Sequence, residues 1–222
     1  QRELLKALAA AGKKVILVNC SGSPVGLVPE TASCQAILQA WYPGQAGGKA
    51  VADVLFGEYN PSGKLPVTFY KSVNQLPDFE DYNMTGRTYR YFEGEPLYAF
   101  GHGLSYTTYT YGEVQAPATA KTDETIVVSV PVTNSGNMDG DEIVQLYLKK
   151  KGDEEGPIKT LRAFKRVHIP AGQTVNVELE LTPSQLEWWN PATNSMNTHA
   201  GNYEVMVGGN SKDVKSVEIA LQ

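Results

Sequence analysis

The stretch with the most chemical promise is Asp78-Phe79-Glu80-Asp81-Tyr82, where carboxylates alternate with aromatic rings. Such a mixture suits a sugar. A ring can lie under the apolar face of a pyranose while the acids accept hydroxyl protons. Hydrolysis by double displacement demands more, namely two carboxyls about 5 Å apart on either side of one bond. Asp78 and Glu80 stand too close in sequence to flank a sugar readily, and no second partner is indicated. The stretch is therefore expected either to touch a substrate or to form the charged edge of a segment whose aromatics pack inward.

Other motifs fail on spacing. Gly44 to Lys49 has one residue too few between Gly44 and Gly48 for a phosphate loop, and Ala50 replaces the Ser/Thr that would hold Mg²⁺. Cys20-Ser21-Gly22-Ser23 follows a strand-like run but lacks the Gly-x-Ser-x-Gly frame of a nucleophile elbow. The three histidines are His102, His168 and His199; His168 sits in a strand-like run and His199 near a hairpin, neither beside an obvious hydroxyl. Asp139-Gly140-Asp141-Glu142 and Asp153-Glu154-Glu155 lack EF-hand spacing and read as solvated hairpin tips, so no metal site is expected. Asn83-Met84-Thr85 is a glycosylation sequon, a triplet that also arises by chance.

The elements that must position these residues come in two styles. Leu4, Leu5, Leu8 and Ala11 share a helical face that Gly12 stops, yet no capping residue introduces that helix after Gln1. A chain that opens in mid-element with no leader pattern implies further sequence upstream. Lys14 to Asn19 is a continuously apolar run, the pattern of a strand covered on both faces. Ala36 to Tyr42 is a second such run, and its brevity and Trp41-Tyr42 favour strand. If those strands are parallel neighbours, Cys20 and Cys34 lie at opposite ends, several times farther apart than the roughly 5.5 Å of a disulfide. Two buried free thiols are expected. A turn at Pro43 to Gly48 leads to an amphipathic helix through Ala50, Val51, Val54, Leu55 and Phe56; Gly57 ends it, and Leu65 to Tyr70 reads as a further strand. Alternation of this kind predicts α/β layers with a mainly parallel sheet.

From about Lys71 to Gly103 periodicity disappears. Tyr89, Tyr91, Phe92, Tyr98 and Phe100 need something to pack on, which predicts a strap across two domains. Beyond it the period is two: Ile126, Val128 and Val130; Val144, Leu146 and Leu148; Val175, Val177, Leu179 and Leu181; Tyr203, Val205 and Val207. Turn signals at Asn134-Ser135-Gly136, Pro170-Ala171-Gly172 and Gly208-Gly209-Asn210 separate the runs, predicting an immunoglobulin-type antiparallel sandwich. The fold class expected is thus α/β plus all-β. Residues 1–70 form part of an α/β domain, 71–102 the strap, and 103–222 the sandwich. A formal net charge of −5 without a Lys/Arg-dense stretch argues against nucleic acid. The longest apolar runs are far too short for a membrane helix.

Seven stretches, in order, resemble glycoside hydrolase family 3. They are Ala40-Trp41-Tyr42-Pro43-Gly44-Gln45-Ala46-Gly47-Gly48, Ala52-Asp53-Val54-Leu55-Phe56-Gly57, and Asn60-Pro61-Ser62-Gly63-Lys64-Leu65-Pro66-Val67-Thr68-Phe69. Gly86-Arg87-Thr88-Tyr89-Arg90-Tyr91 and Phe100-Gly101-His102-Gly103-Leu104-Ser105-Tyr106 follow, then Val144-Gln145-Leu146-Tyr147-Leu148 and Leu161-Arg162-Ala163-Phe164-Lys165-Arg166-Val167.

The resemblance implies a three-part retaining enzyme: a barrel with the aspartate nucleophile, an α/β sandwich with the glutamate acid/base, and a fibronectin type III-like domain. It places this chain from the helix after the acid/base loop onward, and no residue here matches either catalytic motif. It implies no metal or organic cofactor, a β-linked oligosaccharide substrate, and a periplasmic or extracellular location. Asn19-Cys20-Ser21-Gly22 with Leu27-Val28-Pro29-Glu30, and Gln75 to Tyr82, look more like bacterial β-xylosidases than plain β-glucosidases. The competing class is a carbohydrate-binding or adhesion module resting on Trp188 and Trp189. Adjacent strand residues face opposite sides, so at most one of the two could join a sugar platform. An α/β part separated from its barrel should expose a strand edge that favours self-association. Protease is then expected to cut first before about Gly103, leaving the sandwich.

Overall fold

The computed structural model describes residues Gln1 to Gln222. Its first part runs α1 (Arg2–Ala10), β1 (Ile16–Asn19), α2 (Val28–Ser33), β2 (Ala36–Gln39) and α3 (Gly47–Leu55). Strands β1 and β2 pair in parallel, Ile16 opposite Ala36 and Asn19 opposite Gln39. Gly12 and Gly57 take φ of 68° and 81° just past α1 and α3, the left-handed conformation that stops a helix. Helix α2 was not anticipated. Pro29 stands in its first turn, where a missing N–H costs nothing. Its buried Glu30 accepts from Arg2 Nε at 2.8 Å, tying α2 to α1.

Two expectations for this part are corrected. Strand β1 is not covered on both faces: Ile16 is largely exposed and α1 buries no residue. A doubly covered parallel sheet needs more strands and helices than these residues supply. Leu65 to Tyr70 is not a strand: the chain bends at Pro66-Val67, Pro66 has no ladder donor, and only Phe69 forms a bridge, to Tyr98.

After the strap and its short helix α4 (Thr88–Tyr91) come β3 (Tyr109–Tyr111), β4 (Thr119–Ala120), β5 (Ile126–Asn134), β6 (Gly140–Lys150), β7 (Thr160–Ile169) and β8 (Thr174–Leu181). The chain closes with β9 (Trp188–Asn190), β10 (Ser195–Asn197), β11 (Gly201–Gly208) and β12 (Val214–Leu221). Sheet β4-β12-β11-β6-β7 faces sheet β3-β5-β8, and β9 and β10 form a separate hairpin. The runs read by alternation form the core: Val128, Val130, Val144, Leu146, Leu148, Leu181, Tyr203, Val205 and Val207 are all fully buried. Val175 alone of the anticipated set is half-buried against that cluster.

Alternation predicts solvent for the outer face of β6, yet Gln145 and Tyr147 are buried there. The strap covers them. Tyr89 and Phe100 stack at 4.3 Å, and both meet Tyr147 edge-on at 5.8 and 6.4 Å. Gly101, at φ +81°, lies so close to the Gln145 amide that a Cβ would collide with it. The Tyr89 hydroxyl accepts from Leu161 N at 3.0 Å, and the Arg90 carbonyl accepts from Ile158 N at 2.7 Å. The strap is docked, not a free linker.

Candidate functional site

The loop at Asp78 is built by its own side chains. Asp78 Oδ1 accepts from Glu80 N at 3.0 Å, and Asp81 Oδ1 accepts from the backbone and side-chain nitrogens of Asn83 at 2.9 and 2.8 Å. These turns are the local bonding that Asp favours outside regular structure. The Asn83 backbone N–H, then its side chain, hold the Asp81 carboxyl below the usual carboxylate range. Arg87 reaches back to the carbonyls of Asp78, Asp81 and Asn83 at 3.0, 2.5 and 3.2 Å. The result is a shaped loop with Phe79 and Tyr82 turned outward, 92% and 91% exposed. Of the two readings left open for this stretch, inward packing of its aromatics does not hold for these two rings. The five aromatics named for the strap do pack: beyond Tyr89 and Phe100, Phe92 meets Tyr70 at 5.0 Å, Tyr98 meets Phe69 at 6.2 Å and Tyr91 lies under Arg90 at 5.8 Å. Asn83 of the sequon is exposed.

At the carboxyl end of β1 and β2 a polar cluster forms. Asn19 Nδ2 donates to Gln39 Oε1 at 2.6 Å and to Ser21 Oγ at 3.1 Å; Ser21 Oγ donates to the Ser23 carbonyl at 2.9 Å. That bonding orders the loop and leaves Ser21 without a histidine to activate it. Trp41 follows at φ 54°, an uncommon conformation for a bulky residue, with its ring against Phe69 at 6.2 Å. The twist sends Trp41 inward and leaves Tyr42 exposed over Gly22. Cys20, past the end of β1, is exposed and Cys34, before β2, is half-buried, which corrects the expectation of two buried thiols. The free thiols do lie at opposite ends of the parallel pair. Gly47 packs under Pro43, and Lys49 pairs with Asp53 at 2.8 Å, so the glycine turn presents a helix-internal ion pair where a phosphate loop would present its lysine.

The acidic hairpin tip is the largest surprise. Glu142 is only 3% exposed, with Lys64 Nζ at 3.0 Å from one oxygen and the Tyr111 hydroxyl donating to the other at 2.8 Å. Its neighbours are engaged as well. Asp139 Oδ1 accepts from Ala171 N at 2.8 Å, and Asp141 is held by Arg166 at 2.6 Å and His168 at 2.7 Å. No three His, Cys, Asp or Glu side chains converge on a metal position. Asn60 completes the joint: its Oδ1 accepts from Ser105 Oγ at 2.7 Å and Tyr106 N at 2.8 Å, and its Nδ2 donates to the Asp139 carbonyl at 2.9 Å. Sequence reasoning missed this lock. A signal was present, because Glu142 shares the parity of Val144, Leu146 and Leu148, and a charge on a core-facing register needs a partner. His102 stacks on Tyr98 at 5.0 Å, and burial, ahead of the Lys64 charge, depresses its pKa. The His199 carbonyl accepts from the Tyr203 hydroxyl at 2.8 Å. Asp153, Glu154 and Glu155 lie on the turn after β6. Trp188 is buried beneath Arg162, 4.4 Å from its ring, while Trp189 is 57% exposed, as strand parity requires.

Comparison with known proteins agrees with this architecture. Residues 1–106 match the glycosyl hydrolase family 3 C-terminal domain, and residues 142–211 match the fibronectin type III-like domain. The xylan 1,4-beta-xylosidase of Xylanibacter ruminicola is 57% identical over 100% of this chain and 26% of its own length. The periplasmic beta-glucosidase of Salmonella typhimurium is 39% identical over 100% of the chain and 31% of its own. Among solved structures, a β-glucosidase from Erythrobacter marinus superposes with TM-score 0.88 at 39% identity, covering 100% of this chain and 30% of that one. A beta-D-glucoside glucohydrolase from Trichoderma reesei gives TM-score 0.90 at 28% identity, covering 100% and 35%. The chain thus spans about a quarter to a third of the proteins it resembles. It carries a glycosyl hydrolase family 3 C-terminal domain followed by a fibronectin type III-like domain.

Proposed function

We propose that this chain is the non-catalytic C-terminal portion of a retaining exo-acting β-glycosidase that releases terminal β-linked glucose or xylose from oligosaccharides. The observation that carries the reading is full-length similarity to a fraction of a xylan 1,4-beta-xylosidase and of β-glucosidases. The nucleophile and acid/base then belong to sequence upstream of Gln1, in a barrel and the first half of the α/β domain. Two-step displacement with net retention follows, without metal or organic cofactor. The division into 1–70, 71–102 and 103–222 is part of this proposal, supported by the docking of the strap on β6. A periplasmic or extracellular setting is supported by the periplasmic Salmonella relative.

In this reading the chain braces the catalytic parts. Strands β1 and β2 end at an edge that upstream strands extend, and the Lys64–Glu142 joint holds the sandwich against α3 and the strap. The outward Phe79 and Tyr82 stand ready to touch a sugar from the substrate side. The test is an assay of this chain with aryl β-glucoside and aryl β-xyloside. Background rates are expected; turnover that survives repurification would overturn the reading. A stand-alone carbohydrate module is favoured only by exposed Trp189. Quenching of its fluorescence by xylobiose or cellobiose would support that alternative.

A further inference from the structure

We infer that the cleft between the strap and the sandwich is a binding site for an uncharged sugar of one or two rings. The cleft has a volume of about 470 Å³, within the roughly 300–1,000 Å³ range of small-molecule sites. The strap contributes Tyr89, Phe92 and Phe100 to its apolar lining. The sandwich contributes Lys149, Lys159 and Ser211 to its lining, and Glu93 of the strap is exposed beside them. That mixture matches a pyranose, which is apolar on its C–H face and polar around its hydroxyl edge.

The polar groups have capacity to spare. Lys159 gives one proton to the Ser211 carbonyl at 2.8 Å, leaving two donors. Its ammonium is half-buried, and desolvation, the first cause, lowers its pKa. Ser211 is buried, and Glu93 and Lys149 form no ion pair. Charges of both signs line the cleft, so a strongly anionic ligand meets Glu93 and Glu95, and a cationic one meets three lysines. Hydroxyl groups satisfy both, donating to carboxylates and accepting from ammoniums. Glu95 and Lys212 pair across the cleft, so that one exposed ion pair bounds the site on the side of the β11–β12 turn.

The inference stands apart from hydrolysis, since binding is read on this chain without turnover. We would titrate the ¹⁵N-labelled chain with xylobiose and cellobiose and follow amide shifts. Saturable changes at Tyr89, Gly94, Lys149 and Ser211 are expected, with affinity falling about tenfold in Glu93→Ala/Lys149→Ala. That variant alters two side chains with no partner in the chain and should retain the wild-type spectrum elsewhere. Absence of saturable shifts, or shifts confined to Trp189 or to Phe79 and Tyr82, would overturn the assignment. Tighter binding of glucuronate or glucosamine than of the neutral disaccharides would also overturn it.

Discussion

Replacing Lys64 by Met tests the joint between the two parts of the chain. Lys64 Nζ lies 3.0 Å from the Glu142 carboxylate, with the two side chains only 14% and 4% exposed. At an effective dielectric near 20, charges so close attract by roughly 5 kcal/mol. Removing one partner of a buried pair destabilises by about 3–5 kcal/mol, mostly because the remaining charge is left without compensation. Tyr111 still donates to Glu142, which places the expected loss near the lower end, about 3 kcal/mol. In a domain pair of this size that lowers Tm by roughly 6–12 °C. Glu142→Gln in the same chain removes the stranded charge and keeps an acceptor for Tyr111, so the double variant should regain more than half of the loss. Urea denaturation followed by tryptophan fluorescence and far-UV circular dichroism measures both. A loss below about 1 kcal/mol for Lys64→Met, or a double variant as unstable as the single, would refute the reasoning.

Other outcomes follow from the same packing. Phe100→Ala and Tyr89→Ala should each cost about 2–4 kcal/mol, while Phe79→Ala should change stability by less than about 0.5 kcal/mol in the same denaturation experiment. Limited proteolysis should cut first within residues 1–57, where few side chains are buried, and spare the sandwich together with the docked strap; mass spectrometry of the fragments decides it. The His168 and Arg166 contacts hold the Asp141 carboxyl below the usual carboxylate range. Its contribution is therefore present above the unfolded carboxylate pKa near 3.9 and is lost as pH falls through the lower folded value. Asp141→Asn should flatten that acid limb, by less than about 1 kcal/mol because the site is largely solvated.

Period-two alternation identified the sandwich strands from residues alone, because each strand has one face in a common core and one face away from it. The same alternation misjudged the outer face of β6. Gln145 and Tyr147 sit at solvent registers, and only the strap folding back over them makes them interior. Glu142 looked like part of a solvated tip because its partners, Lys64 and Tyr111, are remote in sequence. Phe79 and Tyr82 looked able either to pack or to touch a substrate, and in the loop that Arg87 clasps by three carbonyls they turn outward.

The motif order along the chain, the helix stops at Gly12 and Gly57, and the strand periods were determined by sequence, since each depends on local backbone preference or on one face of one element. The buried ion pair, the docked strap and the cleft it encloses were decided only by tertiary structure. Each joins side chains tens of residues apart, and no local preference specifies which distant groups will meet.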